Sequence, residues 1–350
     1  MFRLGNIALI GSGETAARGG QAFDLLAHHL PVPLNVAVLE TPAGFETNSA
    51  QVAGRVADYM RKRLQNYQPQ VALVPARRKG RDGTDDWDTL APLLDSHLIF
   101  MGPGSPTYAV RQLQNSLAWE LIRARQRMGA AIALASAATV AMGAFALPVY
   151  EIFKVGEDPH WKPGLNLLGD YGLNCVIVPH WNNTEGGADV DTGRCFIGQD
   201  RFESLRGQLP PEITIIGIDE HSGVIIDLNQ QTCRVTGRDG VHILHGDAPP
   251  LLFCSGEVFP LTVIGNVHLP KNPEDGIDPQ VWNVLQKKAA NRLTEYHETQ
   301  IPDEIQNLLV ARQRARENRN WQESDRIRDQ VNALGWKITD TPDGQKIARG

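Results

Sequence analysis

Five short apolar runs, "NIALIGSG", "NVAVLETPA", "QVALVPA", "SHLIFMGPGS" and "AAIALAS", follow one another up to Ser136, separated by amphipathic stretches such as 48–66 and 108–128. A run of Val, Ile, Leu and Ala with no polar alternate has no face to give to water. Each such strand must be covered on both sides, and helices between the strands supply the cover. The pattern therefore predicts an α/β fold built on a doubly wound, mostly parallel sheet. In such sheets ligands gather at the carboxyl ends of the strands, so "GSGE", "ETPAG", "GPGSP" and Ser136 are expected along one edge.

Beyond residue 150 the pattern changes. "NCVIVPHW" reads as a strand, "DRFESLRGQL" as a helix, and "EITIIGIDEHSGVIIDLNQQTCRVTGRDGVHILH" as successive strands broken by "EHSG", "LNQQ" and "GRDG", which carry hairpin chemistry. These are expected to complete one domain over 1–265. "LPKNPEDGIDPQ" is rich in Pro, Asp and Gly and opens a linker with a helix, 266–302, ahead of a helical hairpin in 303–350 whose hinge lies near "ENRNW".

The chain of 350 residues can bury a large core, and its formal charge of -6 from 34 basic and 40 acidic residues gives no whole-chain attraction to nucleic acid or anionic membrane. Cys175, Cys195, Cys233 and Cys254 form no CxxC pair, which fits reduced thiols rather than a zinc ribbon. No run approaches the roughly 18 apolar residues of a membrane span, and the opening "MFRLGNIALIGSGE" lacks a signal-peptide core. A cytoplasmic location without membrane contact is the expectation. No metal is expected either: His28 and His29 are adjacent and no HExxH occurs. "GSGETAARGG" lacks both the GxGxxG spacing and a Walker lysine, so no nucleotide cofactor is read into it, and no cofactor of any kind is called for.

"AAIALASAATVAMGA", residues 130–144, is the stretch that bears on chemistry. A strand that delivers Ser136 at its end and passes at once into a helix describes a nucleophile elbow, in which a sharp turn holds the hydroxyl out and the helix amino end offers N–H groups to an oxyanion. A serine is a weak nucleophile near neutral pH and needs a base with an acid to orient it. In "GPGSP" and the residue after it, Pro103 and Pro106 have no N–H, so an oxyanion donor there is Gly102, Gly104, Ser105 or Thr107, with Gly104 or Ser105 preferred and the Ala137 N–H as its partner. Ser136 also reads as a small residue at a strand–helix junction, and Glu14 and Asp219 read as turn residues outside the catalytic set.

The order "GNIALIGSGE", "FMGPGSPTYAV", "LASAATVAMGA", Glu151, "VPHWNN" and "IIGIDEHSGVII" resembles the cyanophycinase and dipeptidase E family of serine peptidases over residues 5–247. The resemblance implies the three-layer fold of class I glutamine amidotransferases and a small peptide or amide as substrate. It puts the catalytic triad on Ser136, His180 and Glu151. Where that family has glycines two positions either side of the serine this chain has Leu134 and Ala138, which implies either a relaxed turn or a strained one. After His180 the family pattern gives way to "WNNTEGGADVDTGRCF", which puts Asn182, Asn183 and Arg194 forward as substrate-binding residues.

Residues 304–349 resemble the end of bacterial cysteinyl-tRNA synthetases through "ARQRARENRNW", "SDRIRDQVNALGW" and "DTPDG". The resemblance implies contact with tRNA or another RNA. Leu308, Ala311 and Ala315 are expected on one apolar face and Ile327, Val331 and Leu334 on the other, while Arg312, Arg314, Arg316 and Arg319 form a cationic stretch. A solvated helical pair serving packing or homodimer contact is the bland alternative. For the whole chain, the rival to a serine hydrolase is a binding protein that kept the fold and lost the chemistry.

Overall fold

The computed structural model describes residues 3–299, 302–341 and 344–349. The strands are β1 (Ile7–Ile10), β2 (Asn35–Leu39), β3 (Gln70–Val74), β4 (Leu98–Met101), β5 (Ala131–Ala135), β6 (Phe145–Ala146), β7 (Lys162–Pro163), β8 (Cys175–Val178), β9 (Thr214–Ile218), β10 (Ser222–Asp227), β11 (Thr232–Gly237), β12 (Gly240–His245), β13 (Leu251–Cys254), β14 (Val258–Pro260), β15 (Trp336–Thr341) and β16 (Gly344–Arg349). The α-helices are α1 (Gln21–Ala27), α2 (Ser49–Arg63), α3 (Pro106–Leu113), α4 (Leu117–Arg127), α5 (Ala137–Ala141), α6 (Gln199–Arg206), α7 (Pro279–Thr299), α8 (Asp303–Glu317) and α9 (Trp321–Ala333).

The main sheet runs β14-β11-β10-β1-β5-β4-β2-β3. Its five apolar strands are parallel and its other three antiparallel. Alternation explains why these runs are apolar throughout. Ile7, Leu9, Ile132 and Leu134 point into one core with α3 and α4, whereas Ala8, Ile10, Ala133 and Ala135 point into a second core with Phe23 of α1 and Val56 of α2. Both faces are dry, as a doubly wound sheet requires. The stretch 108–128 is two helices, because Asn115 takes a positive φ of 55° and Ser116 accepts from the Trp119 N–H to cap α4.

A second sheet, β13-β12-β9-β8, shares the first of these cores. Here the sequence reading of consecutive hairpins needs correcting. Only "LNQQ" closes a hairpin, joining β10 to β11. "EHSG" carries the chain out of the small sheet, where β9 lies parallel to β8, into the large one, where β10 lies against β1. "GRDG" carries it back, from β11 to β12. Gly237 makes the return feasible: its φ is 106°, and a Cβ there would collide with the His221 carbonyl.

The first compact unit runs to Gln286, so part of the expected linker belongs to it: Ile277, Val281, Trp282 and Leu285 are buried in its core. The second unit, from Lys287, holds α8, α9 and the β15–β16 hairpin. Ile305, Ile327, Val331, Trp336 and Ile338 form its core, with Leu308 at the edge. Ala311 and Leu334 are exposed instead, and Trp336 and Ile338 of β15 belong to the core. Arg312 is 1% exposed and makes a two-pronged ion pair with Asp340, both contacts at 2.9 Å. Among the described residues no helix is long and apolar enough to cross a membrane.

Removing the Arg312 guanidinium leaves Asp340 paired with Arg316 alone and takes a buried side chain out of the unit's interior. Breaking a fully buried pair costs about 3–5 kcal/mol, and because Asp340 keeps some water Arg312→Ala is expected to cost about 2–3 kcal/mol of the second unit's stability. Hydrogen exchange at the paired β15–β16 amides under increasing urea tests this, since their protection should be lost at lower urea in the variant.

Candidate active site

β5 ends at Ala135 between β1 and β4, so Ser136 leaves the sheet at its carboxyl edge. The Ser136 N–H donates to the Ile10 carbonyl at 3.1 Å, and α5 begins at the next residue. This forces Ser136 to φ 52° and ψ -117°, a region that side chains avoid and that costs on the order of 1–3 kcal/mol. The turn is thus the strained one of the two expected. Leu134 fits two positions earlier because its side chain faces the α3–α4 core, away from the bend, and Ala138 is small enough to be buried in α5.

The hydroxyl meets an imidazole. Ser136 Oγ lies 2.8 Å from His180 Nε2, and His180 Nδ1 lies 3.0 Å from Glu220 Oε1. Asn183 Nδ2 donates to the same Glu220 oxygen at 2.8 Å, and the Glu220 N–H donates to Asn182 Oδ1 at 2.8 Å. The hydrogen bond from His180, followed by that from Asn183, holds the Glu220 carboxyl below the usual carboxylate range despite partial burial.

Glu151, the acid expected from the resemblance, does not reach His180. It starts a short turn after β6, where Thr107 Oγ1 donates to its Oε1 at 2.7 Å and Lys162 Nζ lies 3.6 Å away. Its other oxygen is buried without a donor among the described residues. Strand order explains the exchange. β8 and β9 are parallel neighbours with Val178 beside Gly217, so residues just past their ends, His180 and Glu220, arrive side by side. The signal in the sequence is "IDEHSG" directly after the strand adjoining that of the histidine. Its neighbour Asp219 is indeed structural, accepting from the Gly240 N–H and contacting His242 Nε2 at 3.2 Å.

The oxyanion candidates separate as well. Ala137 and Gly104 both line the cavity beside Ser136. Gly104 has φ 145° where it crosses Pro42, and a Cβ there would strike the Pro42 carbonyl, so only glycine fits. Ser105 is withdrawn from the cavity: its N–H donates to the Pro42 carbonyl at 2.9 Å, and its Oγ caps α3 by accepting from the Tyr108 N–H. Its amide is committed to the turn that presents Gly104.

The cavity is about 250 Å³, lined by Pro106, Val140, Val149, Tyr150, Phe153 and Phe196 together with Lys154 and Cys195. The proposed substrate-binding residues do not line it. Asn182 and Asn183 serve Glu220, and the Arg194 guanidinium stacks 3.9 Å from the Trp181 ring centre and donates to the Trp181 carbonyl. Arg194, Cys195 and Phe196 take consecutive positive φ values of 56°, 62° and 65°, a left-handed turn that brings the Phe196 ring against His180. Burial pushes the Cys195 thiol up to about 12, which removes it as a thiolate rival to Ser136. Glu14, on the loop after β1, is raised by burial, an effect partly offset by its own backbone N–H and by His180 and His221. Among the described residues no group of three His, Cys, Asp or Glu side chains is placed to hold a metal ion.

In the second unit the cationic stretch is partly internal. Arg312 and Arg316 both pair with Asp340, which leaves Arg314 and Arg319 as its exposed members.

Comparison with known proteins finds separate likenesses. Residues 298–347 match the family model of the cysteinyl-tRNA ligase anticodon binding domain. The cysteine–tRNA ligase of Lactobacillus gasseri is 37% identical over 102 residues, 26% of this chain and 20% of the ligase. That of Symbiobacterium thermophilum is 48% identical over 69 residues, 20% of this chain and 13% of the ligase. The chain thus spans only a small part of those ligases. A crystal structure of a peptidase from an acI-B1 Actinobacterium is similar to 74% of this chain and to 97% of its own, with a TM-score of 0.59 and 20% identity. That likeness establishes the fold.

The depressed Glu220 carboxyl sets a pH dependence. An acid whose pKa falls on folding contributes stability above its unfolded value, and that contribution is lost as pH drops through the folded one. Wild-type melting temperature should therefore fall on acidification below the ordinary glutamate range, and Glu220→Gln should flatten that limb. A profile unchanged by the substitution would mean that the hydrogen bonds from His180 and Asn183 do not depress the Glu220 carboxyl.

Proposed function

We propose that the first unit is a serine hydrolase that cleaves an amide or peptide bond through an acyl-enzyme. The observation that carries the reading is the continuous line from Ser136 Oγ to His180 Nε2 and from His180 Nδ1 to Glu220. Ser136 attacks the carbonyl carbon as His180 takes its proton. Glu220 fixes the ring orientation and offsets the imidazolium charge, and Asn183 holds Glu220. The N–H groups of Ala137 and Gly104, two residues that line the cavity with Ser136, receive the developing oxyanion, where one donor is worth about 3 kcal/mol in the transition state. His180 then returns the proton to the leaving atom, and water repeats the sequence on the acyl-serine. The fold shared with a solved peptidase supports this reading, and the strained Ser136 backbone supports it further, because strain of this kind clusters at active sites.

The match at 298–347 favours a second activity alongside the first: contact between the second unit and RNA. Its electrostatic part would rest on exposed cations such as Arg314 and Arg319, since Arg312 is consumed inside the unit. Charge reversal at Arg314 and Arg319 should weaken tRNA retention at low salt and flatten its salt dependence. Unaltered retention would rule this face out.

A fluorophosphonate probe tests the hydrolase. It should label the wild type and fail on Ser136→Ala. Glu220→Gln should slow labelling by about a thousandfold or more, as loss of the orienting acid does in other triads. Glu151→Gln should slow it far less, since that carboxylate binds Thr107. Absence of labelling in folded protein would leave the fold as a binding scaffold.

A further inference from the structure

The catalytic cavity has a neighbour. Tyr150 lines it on one side and on the other lines a wider recess of about 640 Å³ that also adjoins Ser105 and Thr107. Two kinds of side chain dominate the recess. Lys79, Arg111 and Lys162 bring positive charge against one carboxylate, Glu151, and Phe45, Tyr108 and Tyr150 bring rings. Phe45 is 50% exposed and Tyr150 42% exposed, large apolar surfaces that face water beside cations. The Phe45 and Tyr108 ring centres are 5.1 Å apart, and the Arg111 guanidinium sits 5.2 Å from the Tyr108 centre.

The rim adds more charge. "RRKGR", residues 77–81, is exposed apart from its glycine and is tied to the recess by the Tyr108 hydroxyl, which donates to the Arg77 carbonyl at 2.9 Å. Arg77 is itself neutralised by Glu40 at 2.7 Å, and Lys79 Nζ donates to the Gln114 carbonyl at 2.8 Å, which orients the ammonium without cancelling its charge. An acidic peptide would satisfy these cations and leave the rings wet, while an apolar peptide would cover the rings and strand the cations. A nucleotide uses both, since its phosphate pairs with lysine and arginine and its base stacks on an aromatic face.

We propose that this recess is a nucleotide subsite contiguous with the catalytic cavity, filled by a free nucleotide or by the end of an RNA strand, and that the acyl group cleaved at Ser136 is carried on that nucleotide. The cleavage rests on the hydrolase reading; the binding does not. In the reaction Ser136 Oγ bonds to the acyl carbon while the bond from that carbon to the oxygen or nitrogen of the nucleotide breaks. The proton taken by His180 goes to the departing atom, and water then hydrolyses the acyl-serine.

Calorimetric titration of the full chain with AMP and with a short oligoadenylate tests the site. At least one of them should bind, to wild type and Ser136→Ala alike, which separates the subsite from the chemistry. Lys79→Glu with Arg111→Glu should weaken binding by about tenfold or more and reduce its salt slope. Phe45→Ala should weaken it without changing the slope, and Arg111→Gln provides a milder charge loss if the double variant unfolds. Binding of AMP marks a mononucleotide site, and binding of the oligomer alone marks a strand end. No binding of either, binding indifferent to these substitutions, or displacement by triglutamate would overturn the proposal.

Discussion

The backbone of Ser136 is the constraint on which the site depends. A positive φ at a residue with a side chain is held only where its surroundings leave no alternative, and here the Ile10 carbonyl on one side and the first turn of α5 on the other fix both flanks. The alanines and leucine of β5 supply that rigidity, being buried in two separate cores at once. A softer sheet edge would let the bend relax and turn the hydroxyl away from the imidazole. His180 is held in a comparable way: it too has a positive φ, 50°, and its carbonyl accepts from the Cys195 N–H at 3.2 Å.

Much of this was legible in residue order. Runs such as "NIALIG" and "AAIALA" cannot be half-wet strands, so the covered parallel sheet followed from them, and with it the edge on which Ser136 and Gly104 meet. Ser136 was visible because it ends an apolar run, and His180 through the family resemblance. Glu220 was not, because an acid beside Asp219 in a glycine-containing turn has the composition of any loop, and its role comes from β9 lying next to β8. No periodicity records which strands become neighbours.

The same gap accounts for the misread hairpins. "EHSG" and "LNQQ" present the same turn chemistry, yet one links two sheets and the other closes a ribbon. Turn residues specify that the chain reverses; the partner of the next strand is chosen by tertiary packing. Likewise Arg312 looked like one of four equivalent surface cations, and only the return of β15 with Asp340 made it internal. Asn182, Asn183 and Arg194 are polar residues near the site that act on Glu220 and Trp181 instead of on a ligand.

The double crossing between sheets has a mechanical corollary. Because β9 runs into β10 and β11 returns into β12 through brief links, the strand that delivers the acid is tethered at both ends of a ribbon stitched onto β1. The serine leans on that same β1. Any sliding of the small sheet would drag the hydroxyl's own support along with it, so the alignment of Ser136, His180 and Glu220 survives motions that would pull apart groups drawn from independently hinged pieces.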